Sequence, residues 1–162
     1  GRQHELDRQG LLWLEPVTLA ESLDGRRADR IPVDLDATTE HLWRAVLAAE
    51  DSRFFEHVGL DARSLARAAL ANLKRGRVHQ GGSTITQQVA KSLLLTPERK
   101  FKRKFKEAIL AYRMEKRLSK EEILYLYLNQ IFLGHGAYGV QAAAENYFDK
   151  DVDELTLAES SM

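Results

Sequence analysis

The sequence predicts a mainly α domain, and three observations carry that class. Apolar residues recur at helical spacing in successive stretches, helix-start signatures precede several of them, and strand signals are nearly absent. At 162 residues the chain is long enough for one core and too short to make two independent domains the better expectation.

Residues 1–36 mix Arg, Asp and Gly around Trp13 without a sustained period, so they read as a lead-in with at most one strand. The domain proper, 37–162, opens with a helix over Ala37 to Glu50: Leu42, Val46 and Ala49 share a stripe, and Thr38 or Thr39 can cap its start. A second helix runs from Asp61 to about Leu73 with Leu65, Ala69 and Leu73 on one stripe. The basic, glycine-containing stretch Lys74 to Gly82 then reads as a loop. Ser83 or Thr84 can cap a third helix through Leu95, and Pro97 sits where it starts a fourth, reaching about Leu118. Ser119-Lys-Glu-Glu122 is a capping box for a fifth helix to Leu133. Gly134, Gly136 and Gly139 punctuate the turn into a sixth, Val140 to Phe148, and Thr156-Leu-Ala-Glu159 reads as another helix start. Both ends are expected to be cuts in a longer protein.

Composition excludes some chemistry. With no cysteine there are no disulfides, thiolate metal sites or cysteine nucleophiles. The 24 basic and 24 acidic residues balance, so no net field calls for nucleic acid, and local charge must carry any such argument. The longest apolar run, Ile123 to Leu128, is far below the ~20 residues that span a bilayer as a helix.

Three constellations remain. In Glu50-Asp51-x-x-Phe54-x-x-His57-x-Gly59, persisting helical spacing would put Glu50, Phe54 and His57 on one face, an acid beside an aromatic ring suited to general-base work. Spacing alone favours the plainer reading, a helix end with surface carboxylates and a packed Phe. In Gly81-Gly82-Ser83-Thr84-Ile85-Thr86-Gln87-Gln88, followed by Lys91, glycines lead into a hydroxyl-rich helix start whose N–H groups suit phosphate or sugar hydroxyls. An ordinary N-cap explains Ser83 or Thr84 equally well, yet not two adjacent glutamines, which donate and accept at once. Residues Arg99 to Lys106 place six cations in eight positions, with Arg99, Arg103, Lys106 and Glu107 on one stripe. Such a row suits a pyrophosphate, a nucleic-acid backbone, an anionic membrane or plain water. Glu107 at its end argues for a built site over a solvated face.

Together and in order, these segments resemble the peptidoglycan glycosyltransferase domain shared by monofunctional peptidoglycan glycosyltransferases and class A penicillin-binding proteins. The glutamate, glutamine and Arg103-Lys-x-x-Glu107 segments look like that family's first three motifs. Lys120-x-x-Ile123-Leu-x-x-Tyr127-Leu-Asn129 looks like its fourth, and Gly139 with Ala142-Ala-Ala-x-x-Tyr147-Phe148 its fifth. Two positions depart from the pattern: Tyr125, where many relatives carry an acid, and Asp149, where glycine is usual.

The resemblance implies a lysozyme-like head with a smaller membrane-associated jaw at about residues 60–81. It implies polymerisation of lipid II on a lipid-linked glycan chain, with undecaprenyl pyrophosphate leaving and the anomeric centre inverting. Glu50 and Glu107 are the implied catalytic residues. Asp51, Phe54, His57, Ser83, Thr84, Gln87, Gln88, Lys91, Arg99, Arg103 and Lys106 are the implied substrate-binding ones. Glu107 would either organise the cations or help hold a divalent metal, Mg2+ or Mn2+, at the pyrophosphate; no cofactor is obligatory. Asn129 and Ala142 to Ala144 are implied as structural supports. The expected place of work is the external face of the bacterial cytoplasmic membrane, with an anchor outside this chain and other cell-wall synthesis proteins as further partners. Two rivals stand beside this reading: a lysozyme-like hydrolase using the same two carboxylates, and a non-enzymatic module binding anionic membrane or nucleic acid through residues 99–106.

Overall fold

A computed structural model of the chain describes residues 31–75, 81–93 and 100–162. Most of the lead-in, the centre of the basic loop, the expected start at Pro97 and Arg99 lie outside the described residues. Within them the expected mainly α class is found: helices α1 (Glu40–Glu50), α2 (Ala62–Arg75), α3 (Ile85–Leu93), α4 (Lys100–Glu115), α5 (Lys120–Gln130), α6 (Val140–Phe148) and α7 (Leu157–Ser160). Three short 3-10 turns join them, and among the described residues β structure is limited to two isolated bridges.

α1 buries Leu42 and Leu47 and packs Trp43 and Val46 on the core. Thr39 stands at the N-cap position but its side chain caps nothing. The helix stops at Asp51, whose φ of −157° and ψ of 71° leave helical space. Helical spacing therefore does not persist, and the face expected for Glu50, Phe54 and His57 does not form. Phe54 instead begins a 3-10 turn, Phe54–Glu56, and is 1% exposed in the core. Burial of that ring contributes roughly 2 to 3 kcal/mol, and the Lys120 ammonium lies 4.4 Å from its centroid.

Gly59 explains itself. Its φ is +77°, and a Cβ there would meet the Ala111 carbonyl oxygen of α4 at 2.9 Å, so only glycine lets this loop lie on that helix. Asp61 then caps α2: its Oδ1 accepts from the Arg63 N–H at 3.0 Å and its Oδ2 from the Ser64 hydroxyl at 2.6 Å. The stripe Leu65, Ala69, Leu73 points outward, all three being exposed.

α3 is the centre of the bundle, packed most extensively on α4 and α5, with Ile85, Val89 and Ala90 buried. A capping box fixes its start. The Thr84 hydroxyl accepts from the Gln87 N–H at 3.1 Å, and the Gln87 side-chain oxygen accepts from the Thr84 N–H at 3.0 Å. The capping box of Ser119 and Glu122 forms at α5 as the sequence indicates, and so does that of Thr156 and Glu159 at α7. α5 ends at Gln130, short of Leu133, because Ile131 and Leu133 turn to pair with Gly139 and Ala137.

The side chain of Asn129 clamps the Val33 backbone from both sides, accepting its N–H at 2.8 Å and donating to its carbonyl at 3.0 Å. α6 runs as expected and ends on Asp149 with φ +54° and ψ 45°, the left-handed cap that glycine fills best. At the far end of the fold, α7 packs on α1, and the His41 ring Nε2 lies 2.8 Å from the Leu155 carbonyl oxygen.

Candidate active site

One cavity of about 1020 Å³ opens where the C-terminal end of α1, the start of α3 and the first half of α4 meet. α1 contributes Glu50 and Asp51, and the turn into α3 contributes Ser83, Thr84, Gln87, Gln88 and Lys91. α4 contributes Arg103, Lys104 and Glu107. Residues more than fifty positions apart in the chain thus share one wall.

Glu50 is exposed to the cavity, and the Gln88 amide donates to its Oε2 at 2.9 Å. That bond is the direct link between the first and second sequence constellations. Beneath it lies Tyr127 of α5, 5% exposed; burial, with the negative charge of Glu50 adding to it, raises its phenol well above the ordinary range.

Asp51 is a brace. Its two oxygens sit 3.0 and 2.9 Å from His57 Nε2, and Oδ2 also accepts the Ile85 N–H at 3.0 Å. A carboxylate only accepts, so the His57 proton is on Nε2, and His57 Nδ1 is buried with no hydrogen-bond partner. The carboxylate also stands at the positive end of α3. Phe54 and His57 line no part of the cavity and support the site from behind it.

Charge is concentrated where α4 lines the cavity. Glu107 is 3% exposed, with Arg103 Nε 3.5 Å from its Oε1 and Lys104 Nζ 3.1 Å from its Oε2. Lys104 also donates to the Ser83 hydroxyl at 2.8 Å, joining α4 to the glycine turn before α3. Lys91 completes the cationic lining, whereas Lys106 is exposed on α4 and does not line the cavity. Arg99 lies outside the described residues. The side chains do not fit a divalent cation held by protein: among the described residues no three His, Asp or Glu side chains converge, and both Glu107 oxygens face cations.

Lys104 stood in the Arg103-Lys-x-x-Glu107 segment but was not among the implied binding residues, nor were Ser64 and Arg67, which line the cavity from α2. A signal for Lys104 existed: it lies three residues before Glu107, within reach on one helical face. For Arg67 the sequence held no such signal, because only the packing of α2 beside Gly82 brings it to the cavity.

Comparison with known proteins identifies the family. The chain is 52% identical over 133 residues to penicillin-binding protein 1A of Aquifex aeolicus (strain VF5), covering 82% of this chain and 18% of that protein. It is 53% identical over 133 residues to penicillin-binding protein 1A of Escherichia coli (strain K12), covering 82% of this chain and 16% of that protein. It is 57% identical over 118 residues to the protein of the same name from Neisseria flavescens, covering 73% and 15%. The chain therefore spans less than a fifth of the length of these relatives. Residues 17–162 match the transglycosylase family, and the chain belongs to that family of peptidoglycan glycosyltransferase domains.

Proposed function

We propose that the chain polymerises lipid II into β-1,4-linked glycan strands by general-base catalysis with inversion, releasing undecaprenyl pyrophosphate. The observation that carries this reading is one cavity that brings Glu50, held by Gln88, together with Lys91, Arg103 and Lys104. A neutral glycan to be hydrolysed gives no reason for that cationic wall, whereas a pyrophosphate leaving group does.

In this mechanism Gln88 holds one oxygen of Glu50, and the other takes the proton of the acceptor GlcNAc 4-hydroxyl as that oxygen attacks the anomeric carbon of the donor MurNAc. The bond to pyrophosphate breaks on the opposite face, so the α-linked donor gives a β product without a covalent enzyme intermediate. Lys91, Arg103 and Lys104 neutralise the charge gathering on the leaving oxygen. Glu107 keeps Arg103 and Lys104 in place. Ser83 and the Gln87 amide nitrogen meet sugar or phosphate oxygens at the start of α3, Thr84 is taken up by the Gly59 carbonyl and the Gln87 N–H, and Asp51 holds that start against α1. No step is routed through a metal.

The jaw at about residues 60–81 rests on the external face of the cytoplasmic membrane, a reading supported by Leu65, Leu70 and Leu73, 61%, 60% and 81% exposed along α2. No described helix is long and apolar enough to cross a bilayer; other cell-wall synthesis proteins are further partners in this reading.

The decisive experiment is Glu50→Gln assayed with purified lipid II. Polymer formation is expected to fall by about 10²-fold to 10⁴-fold, the usual worth of a positioned base, with lipid II binding largely kept. Turnover close to the parent rate would remove Glu50 from the role of base. Shortening of preformed glycan strands without polymer formation would favour a hydrolase instead.

A further inference from the structure

α4 has two unlike sides. Arg103, Lys104 and Glu107 turn toward the cavity, and Ala111 and Met114 continue that side into the core. On the other side Phe105, Ile109 and Tyr112, spaced four and three residues apart, are 70%, 39% and 49% exposed. Exposed Lys102 and Arg113 fall beside this stripe by helical spacing, and the Lys116 ammonium lies 5.4 Å from the Tyr112 ring centroid. The acids of the helix are not on this side, since Glu107 faces the cavity and Glu115 is bound to Thr86 and Lys120 in the interior. Val58 and Leu60, exposed on either side of Gly59, extend the apolar surface where that glycine lies on Ala111 and Tyr112.

An apolar stripe edged along its own helix by cations has the pattern of a helix that lies in the headgroup layer of an anionic leaflet. A second protein chain of ordinary composition would not need that one-signed edge. We propose that the outer stripe of α4, Phe105, Ile109 and Tyr112, is a lipid-contacting surface that seats the domain on anionic membrane. The proposal rests on the reading of the domain as a membrane-surface enzyme and adds a contact outside the jaw. Its consequence is that one helix separates leaflet from cavity. The cations proposed to meet pyrophosphate then stand one helix diameter from the headgroups, and a lipid-linked substrate need not leave its leaflet to reach them.

The chain contains no cysteine, so single cysteines can carry an environment-sensitive dye without background. Ile109→Cys, Leu73→Cys and Glu121→Cys, labelled in the full chain, report α4, the jaw and an exposed site on α5. Each is mixed with vesicles of phosphatidylcholine alone or of phosphatidylcholine with phosphatidylglycerol. The expected result is a blue shift at position 109, quenched by spin-labelled lipid, on the anionic vesicles only, with position 121 unchanged. The triple change Phe105→Ser, Ile109→Ser, Tyr112→Ser is expected to weaken cosedimentation with those vesicles about tenfold or more. These side chains are exposed, so an unchanged melting curve will certify the fold. A blue shift at 73 with none at 109 overturns this proposal and leaves the jaw reading standing. Absence of both shifts overturns both, and a shift at 109 that grows with protein concentration without vesicles assigns the stripe to a second copy and overturns it as well.

Discussion

Replacing Asp51 by alanine removes the acceptor for two donors at once. His57 Nε2 lies 3.0 and 2.9 Å from its oxygens and the Ile85 N–H lies at 3.0 Å, all in buried surroundings. A hydrogen bond to a charged group is worth about 1.5 to 3 kcal/mol, and a donor left buried without a partner costs about 1 to 3 kcal/mol. Counting the histidine contact once, Asp51→Ala should lose roughly 3 to 5 kcal/mol, a large share of the ~5 to 15 kcal/mol that holds a typical domain together. Asp51→Asn keeps one acceptor oxygen and should lose about half as much. Urea unfolding followed by far-UV circular dichroism reads both values, with an unchanged dependence on urea confirming that the same surface unfolds. A cycle with His57→Ala should show a coupling of about 1.5 to 3 kcal/mol. Polymerisation should fall further than the loss of folded protein explains, because the Ile85 N–H begins the helix that presents Gln88 to Glu50. A loss below about 1 kcal/mol for Asp51→Ala, or strict additivity with His57→Ala, would refute the brace.

Three further outcomes follow from the same geometry. Gly59→Ala should lower stability by about 2 kcal/mol or more, read as a fall in Tm, since φ +77° is strained for alanine and its Cβ would press on the Ala111 carbonyl at 2.9 Å; an unchanged Tm would mean that this loop yields freely. The Asp61 carboxyl is held below its ordinary value by the Ser64 hydroxyl first and also by the Ser64 and Arg63 N–H groups and Arg53, and Glu159 is lowered to about 2 by Lys150 and the Thr156 groups. For a lowered folded pKa the stabilisation is complete above the unfolded value and drains as pH falls through the folded one, so stability should decline between about pH 4.5 and 2. Ser64→Ala should move the Asp61 carboxyl up in a carbon-detected NMR titration, and an unmoved resonance would exclude the hydroxyl as the cause.

The sequence made most of the helices legible because their caps are chemical, not statistical. Ser119 with Glu122, Thr156 with Glu159 and the glycines before Val140 each mark a boundary that packing later respects. The failures have physical causes. A break after Glu50 could not be read from spacing, because Asp51 leaves helical space in order to reach His57 and Ile85, partners 6 and 34 positions away. Leu65, Ala69 and Leu73 form a stripe on either side of which core or solvent could stand, and periodicity carries no sign. The site was legible as residue types in order, yet which of them face the cavity was not: Phe54 and His57 went behind it, while Lys104 and Arg67 came into it. Asp149 shows the reverse case, where a departure at a glycine position became intelligible only once its left-handed φ was seen.

The contact between His41 and the Leu155 carbonyl joins residues 114 positions apart, and α7 packs on the helix that ends in Glu50. Synthesis is vectorial, so α1 is made more than a hundred residues before the segment that packs on it exists. Its exposed Leu42 and Leu47 are a holding problem for that interval. The helix that carries the proposed base is thus secured by residues made long after it, so a nascent chain that stops short of Leu155 should lack the geometry to act on a precursor it meets too soon.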